Sequence, residues 1–292
     1  MSSLPVTPSS DALHRANGID IHATIWVGAG PPLVLIHGIS GTAASWWPLV
    51  DELATQFTPI ALDLRGHGAS GSPPHGYLYG DYCADLDALL DALDIERPLI
   101  VGHSLGGLVA LWWARTHPDR AAALVIVDSP LRSGEDFMPA FDRWLALNAM
   151  TVDEAAAAYA AEFPGWSAEL CRHRAAQMTT TARNVFTELR ADSLANHGVD
   201  RIAEIAAINS PVLLVHGDPE AGSMVHPTDA AELDARLVNA TSVRIPGASH
   251  GVHIEHRDEF LAVALPFLSM HASATSEAHV VTPEISDQAS TG

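Results

Sequence analysis

Residues 99–111 read LIVGHSLGGLVAL. An apolar run, Leu99–Val101, is broken by Gly102 and the polar pair His103-Ser104, then resumes through Leu105 and two glycines into Leu108–Leu111. A short continuous apolar run is the pattern of a strand buried on both faces. The segment after it, LGGLVALWWARTHP (105–118), reads as a helix that stops at Pro118. A polar pair hemmed by glycines between the two marks a tight, strained turn whose neighbours must be small. Ser104 then stands above a sheet edge at a helix N-terminus, where free N–H groups and the helix dipole favour developing negative charge.

The same kind of apolar run recurs on both sides of this stretch. IHATIWV (21–27) alternates as a strand does. PLVLIH (32–37), TPIALD (58–63), PLIVGH (98–103), ALVIVD (123–128), PVLLVH (211–216) and TSVRIP (241–246) complete the set. Helical patterns separate them, as in DYCADLDALLDAL (81–93), which puts Cys83, Leu86, Leu89, Leu90 and Leu93 on one face. This alternation predicts an α/β fold with a mostly parallel sheet and helices on both faces. From about 131 to 208 no strand-like run occurs. AFDRWLALNAM, VDEAAAAYAAEF, AELCRHRAAQM and RNVFTELRADSLA are all helical. A helical block between sheet strands predicts an inserted cap over the carboxyl edge of the sheet, where open α/β sheets bind ligands. The expected division is a loose N-terminal tail (1–12), a core (13–130 and 209–270), the cap (131–208) and a loose C-terminal tail (271–292).

Gly102-His103-Ser104-Leu105-Gly106 is a G-x-S-x-G motif with a strand before it and a helix after it, the setting of a nucleophile elbow. His37-Gly38 follows an apolar strand. Asp63-Leu64-Arg65-Gly66-His67-Gly68-Ala69-Ser70 has the form D-x-R-G-x-G-x-S, and Gly247-Ala248-Ser249-His250 follows the last strand. On these motifs, in this order, the chain resembles the α/β-hydrolase fold superfamily over about residues 12–270, in particular its serine esterase and lactonase members.

A serine hydroxyl is a weak nucleophile until a base takes its proton. The resemblance implies Ser104 as nucleophile and His250 as base, with the backbone amides of Ile39 and Leu105 as oxyanion hole. His37 and His103 read as bracing residues, the Asp63–Ser70 segment as a structural turn, and His253 and His256 as incidental. The third triad member stays open. Counting G-x-x-D from Gly217 lands on Glu220, while Asp218-Pro219 supplies the Asp-Pro pair often found at the family's acid, and Asp128 ends a strand where some relatives carry it. Asp218 is the favoured reading of the three.

The chain has 292 residues, 48% of them hydrophobic, enough for a large core. Its 15 basic residues, all arginine, face 35 acidic ones, for a formal charge of −20. Such a surface argues against nucleic acid and anionic membranes as partners. Cys83 and Cys171 match no metal or redox spacing, and the N-terminus has neither a basic nor an apolar signal region. A reducing, cytoplasmic setting is the expectation, and the chemistry implies no metal or organic cofactor. Trp46, Trp47, Trp144 and Trp166 are the candidates for lining an apolar substrate pocket, and the Leu/Ala-rich cap argues for an uncharged ligand of modest size. The expected reaction is cleavage of a carboxylic ester or lactone through an acyl-enzyme. The alternatives are C–C bond hydrolysis or perhydrolysis with the same triad, or a ligand-binding relative without turnover. The sequence leaves the oligomeric state open.

Overall fold

The computed structural model describes residues 6–132 and 137–274. Eight strands form one sheet: β1 (Ser9–Ala16), β2 (Ile19–Trp26), β3 (Pro32–Ile36), β4 (Thr58–Leu62), β5 (Leu99–His103), β6 (Ala123–Val127), β7 (Val212–His216) and β8 (Ala240–Arg244). Their order is β1-β2-β4-β3-β5-β6-β7-β8, with β1 and β2 antiparallel and β3 to β8 parallel. The inner parallel strands β3 to β7 are almost wholly buried, mostly apolar runs, so side-chain alternation feeds two cores, whereas the edge strand β8 is only partly buried. Val34, Ile100, Ile126 and Leu214 face one layer of helices, while Leu35, Val101, Val125 and Val215 face the other.

On the first face lie α2 (Tyr79–Ala92), α3 (Leu105–Thr116) and α9 (Pro227–Arg236), which bury Leu86, Val109 and Leu233. On the second lie α1 (Trp47–Leu53) and α11 (Arg257–His271), preceded by the single turn α10 (Val252–Glu255), and these bury Leu49, Phe260 and Leu268. Each such aliphatic or aromatic side chain contributes about 1.5–3 kcal/mol on burial.

Between β6 and β7 the chain leaves the sheet and forms α4 (Met138–Asn148), α5 (Val152–Glu162), α6 (Ala168–Thr180), α7 (Arg183–Ala195) and the short α8 (Arg201–Ile205). This insert has its own apolar centre, in which Leu147, Tyr159, Cys171, Met178 and Phe186 pack together and Ile39 and Trp144 lie against them. Hydrogen bonds pin it to the loops of the sheet edge: Ala182 N to Gly66 O (2.8 Å), and Gln177 Nε2 to Thr42 Oγ1 (2.9 Å).

One expectation of looseness does not hold. Residues 9–12 belong to β1, an edge strand whose exposure alternates and which therefore carries no apolar run. It is joined to β2 by a two-residue turn, Asn17-Gly18, with both residues at positive φ (46° and 82°), the geometry that Asn-Gly favours between strands. At the other end α11 runs to His271, and the rest of the expected C-terminal tail beyond 274 lies outside the described residues.

Candidate active site

The elbow forms because its glycines leave no alternative to close approach. A Cβ on Gly102 would sit 2.5 Å from the Gly106 carbonyl oxygen, and one on Gly106 would sit 2.1 Å from that of Ile36. Ser104 itself is held at φ 51°, ψ −115°, with its amide bonded to Val127 O at 2.9 Å. It stands immediately before α3, so the Leu105 amide is the first of the helix and lacks an intrahelical acceptor. Ile39, Ser104 and Leu105 line one cavity beneath the cap, closed further by Leu108, Phe141 and Trp144. Ser40 (φ 57°) and Asp128 (φ 42°) share with Ser104 a positive φ rarely adopted by side-chain-bearing residues. The three strained turns follow β3, β5 and β6, side by side at the carboxyl edge.

The loop after β3 is built from neutral imidazoles. His37 Nδ1 lies 2.7 Å from Gly38 O, and its Nε2 lies 3.0 Å from the Leu64 amide. Nδ1–H therefore donates and Nε2 accepts, as in the uncharged ring. Burial holds its pKa down at about 4. His67, from the D-x-R-G-x-G-x-S segment, accepts the Ser40 amide at Nε2 (3.2 Å) and lies 2.9 Å from Arg65 O through Nδ1, and burial lowers it to about 3. Asp63 accepts the Ala43 amide at 2.7 Å, and Arg65 makes a paired ionic contact to Asp85 of α2, both bonds 2.5 Å. The segment is thus a brace that locks the Gly38–Ala43 loop to β4 and α2. Gly38 is required here too, since a Cβ would lie 2.8 Å from His103 Nδ1 and 3.1 Å from Ser104 Cβ.

His250, in the loop after β8, places Nδ1 2.7 Å from Asp128 Oδ2. Asp128 is fully buried, and the loop after β7 also serves it. The Met224 amide donates to Oδ2 (2.8 Å) and the Ser223 hydroxyl to Oδ1 (2.5 Å). Burial opposes ionisation of Asp128, but the bonds from His250, Met224 and Ser223 outweigh it and hold the carboxyl below its ordinary range. His103 ties the elbow to this loop: Nε2 lies 3.0 Å from His250 O, and its ring rests between those of His250 and His253 at centroid distances of 4.6 and 4.5 Å. Burial holds His103 and His253 neutral, the latter with a pKa of about 3.

Asp218, favoured as the acid from sequence, is engaged elsewhere. Its backbone is extended before Pro219, as that proline demands, but the carboxylate is aimed at Arg244 Nη1 and the Gly247 amide, each at 2.7 Å. It fixes the turn that leads to His250 rather than meeting the imidazole. Glu220 is exposed in the same loop. The tryptophans also divide. Trp144 borders the cavity with Ser104. Trp46 is fully buried in the second core against His253, Trp47 packs on that core, and Trp166 stacks on Phe163 (4.3 Å) and Tyr159 (5.9 Å) inside the cap. Sequence reading did not anticipate Ser223 and Met224 as supports of a carboxylate on another strand, nor the buried ring of His253. Cys83 and Cys171 are both free, and burial raises the Cys83 thiol to about 12. Among the described residues no group of three or more His, Cys, Asp or Glu could hold a metal, and no helix is long and apolar enough to cross a membrane.

Residues 31–257 match the family model described as the alpha/beta hydrolase fold, and the chain belongs to that family. It is 28% identical over 246 residues to 2-(acetamidomethylene)succinate hydrolase of Mesorhizobium japonicum, covering 77% of this chain and 84% of that protein. It is 30% identical over 267 residues to the pimeloyl-[acyl-carrier protein] methyl ester esterase of Chromobacterium violaceum, covering 84% and 97%. Among solved structures, an E-2-(acetamidomethylene)succinate hydrolase superposes with a TM-score of 0.75 at 25% identity, over 89% of this chain and 99% of that one.

Proposed function

We propose that the protein is a serine hydrolase that cleaves a carboxylic ester or lactone through an acyl-enzyme, with Ser104, His250 and Asp128 as its triad. The observation that carries this reading is the 2.7 Å contact from His250 Nδ1 to the buried Asp128 carboxylate, beside a strained serine that shares a cavity with Ile39 and Leu105. Asp128 fixes the tautomer in which Nδ1 carries a proton and Nε2 is free to act as base. Nε2 takes the Ser104 proton as Oγ bonds to the substrate carbonyl carbon, and the resulting oxyanion is met by the Ile39 and Leu105 amides. As the carbonyl re-forms, the C–O bond to the alcohol breaks and that oxygen receives the proton from His250. A water then loses a proton to His250 and attacks the acyl carbon, releasing the acid and restoring Ser104. The names of the two relatives, a methyl ester esterase and a hydrolase of an acetamidomethylene succinate, support acyl transfer to water as the shared chemistry.

The test is turnover of a panel of aryl esters of increasing acyl length and of small lactones. The wild type is expected to hydrolyse members of it, and Ser104→Ala to lower kcat by about 10⁴-fold or more with an unchanged circular dichroism spectrum. A folded Ser104→Ala protein that keeps a tenth of wild-type kcat overturns the assignment.

A further inference from the structure

The cavity at Ser104 has a volume of about 60 Å³, well short of the roughly 300–1,000 Å³ usual for a ligand site. A second cavity, of about 540 Å³, lies beside it at the seam between the core helices α2 and α3 and the cap helices α7 and α8. Tyr79 of α2 and Arg201 of α8 border both, so the two spaces are neighbours across one wall. The triad makes no use of the larger one.

Helix α3, which begins at Ser104, sets their order. Leu105 and Leu108 line the smaller cavity, and Trp112, Arg115 and Thr116 line the larger. Positions three or four residues apart share one face of a helix. At 1.5 Å per residue, the stripe from Leu105 to Thr116 leads about 16 Å away from the nucleophile. Helix α2 repeats the pattern, with Tyr79 at the wall and Cys83 and Asp87 one and two turns further on, inside the larger cavity. The chemistry of the lining changes along this path. Leucines stand beside Ser104, the rings of Tyr79 and Trp112 follow with their centroids 5.2 Å apart, and charged and hydroxyl side chains stand at the far end. At the wall the Arg201 guanidinium lies over both rings, 5.0 Å from that of Tyr79 and 5.2 Å from that of Trp112, and pairs with Asp192 at 3.3 Å.

We propose that the two cavities are one substrate site, in which the acyl chain of a long-chain ester runs along α3 from Ser104, past Tyr79 and Arg201, into the larger cavity. This rests on the hydrolase reading above and lengthens the ligand of modest size expected from the sequence. The acyl part takes this path because it stays bound through both half-reactions, whereas the alcohol departs after the first, so contacts along α3 serve each step. Trp112 and Arg201 are then specificity-determining residues, and displacement of the guanidinium from the two rings joins the cavities.

The test compares 4-nitrophenyl acetate with 4-nitrophenyl decanoate. For the wild type, kcat/KM is expected to favour the decanoate by about 100-fold or more. Ala84→Trp and Thr116→Trp place bulk in the larger cavity from α2 and α3, at exposed positions that do not border the Ser104 cavity. Each should lower kcat/KM for the decanoate by about tenfold or more and leave the acetate within about threefold. Equal wild-type rates on the two esters, a decanoate rate that neither substitution changes, or equal losses on both esters overturn the proposal. So does a loss confined to acetate esters of long alcohols, which would assign the path to the alcohol instead. Calorimetric titration of Ser104→Ala with decanamide separates the proposal from the hydrolase reading. If neither ester turns over, that reading fails on these substrates and binding alone decides. Decanamide binding that Ala84→Trp weakens by about tenfold supports the path along α3. No binding, or binding unchanged by that substitution, overturns it.

Discussion

The Asp128 carboxylate has no exposure to water, and its oxygens are occupied by the imidazole of His250, the Met224 amide and the Ser223 hydroxyl. Replacing it with asparagine puts an NH₂ group where an acceptor is needed, or turns the ring to the other tautomer. Asp128→Asn is therefore expected to lower kcat on any hydrolysed ester by about 10⁴-fold. Asp218→Asn removes a contact to Arg244 and Gly247, one loop away from the imidazole, and should leave kcat within about threefold. Steady-state kinetics of the two variants check this, and the reverse ranking contradicts the role given to Asp128. Sequence could not separate the two because both end buried strands, and both strands lie on the same side of β5. What decides between them is the direction each carboxylate leaves its strand. The left-handed backbone of Asp128 (φ 42°) turns it into the sheet edge, and the extended backbone of Asp218 carries it outward.

The loop after β3, the elbow and the His250 loop are held by imidazoles that must stay neutral. His37 and His67 each donate through one nitrogen and accept a backbone amide through the other, and a second proton would cancel the accepted bond. In the unfolded chain these rings take a proton near pH 6.5. In the native protein burial lowers His37 to about 4 and His67 and His253 to about 3. Below pH 6.5 the unfolded chain binds more protons, so stability is full above that value and is lost as pH falls toward 4. Calorimetric Tm is expected to be flat from pH 8 to 7 and to drop between pH 6.5 and 4.5. A Tm unchanged between pH 7 and 5 contradicts this role for the buried imidazoles. Most elements were legible from pattern. The inner parallel strands β3 to β7 carry short apolar runs, and the cap helices from 138 to 195 show regular helical composition. β1 was missed because an edge strand needs no apolar run, although the Asn17-Gly18 turn was a usable sign. The short α8 was missed because a helix of one or two turns has too little periodicity to read.

At the scale of the whole molecule, the sheet supplies a rigid edge and the cap supplies the walls. β3, β5 and β6 each end in a strained turn, and the strand order brings β3 and β5 together at the point where connections diverge to either side, the usual place for a site in an open α/β sheet. The cap closes over it with Phe141 and Trp144 and is bonded to the loops after β3 and β4 through Gln177 and Ala182. Which of the cap tryptophans borders the cavity depended on how the cap helices pack on one another. That packing rests on contacts far apart in the chain, and composition does not encode it. In the proposed hydrolase this edge activates one serine among all others. Brief treatment with a fluorophosphonate probe, followed by peptide mass spectrometry, tests this, because the probe reacts with a serine only where a base and an oxyanion hole act on it together. The expected outcome is a single adduct on the peptide containing Ser104, forming at least about 10³-fold more slowly in Asp128→Asn and at nearly the wild-type rate in Asp218→Asn. An unlabelled Ser104 in the folded wild type, or labelling whose rate is indifferent to Asp128→Asn, would contradict it.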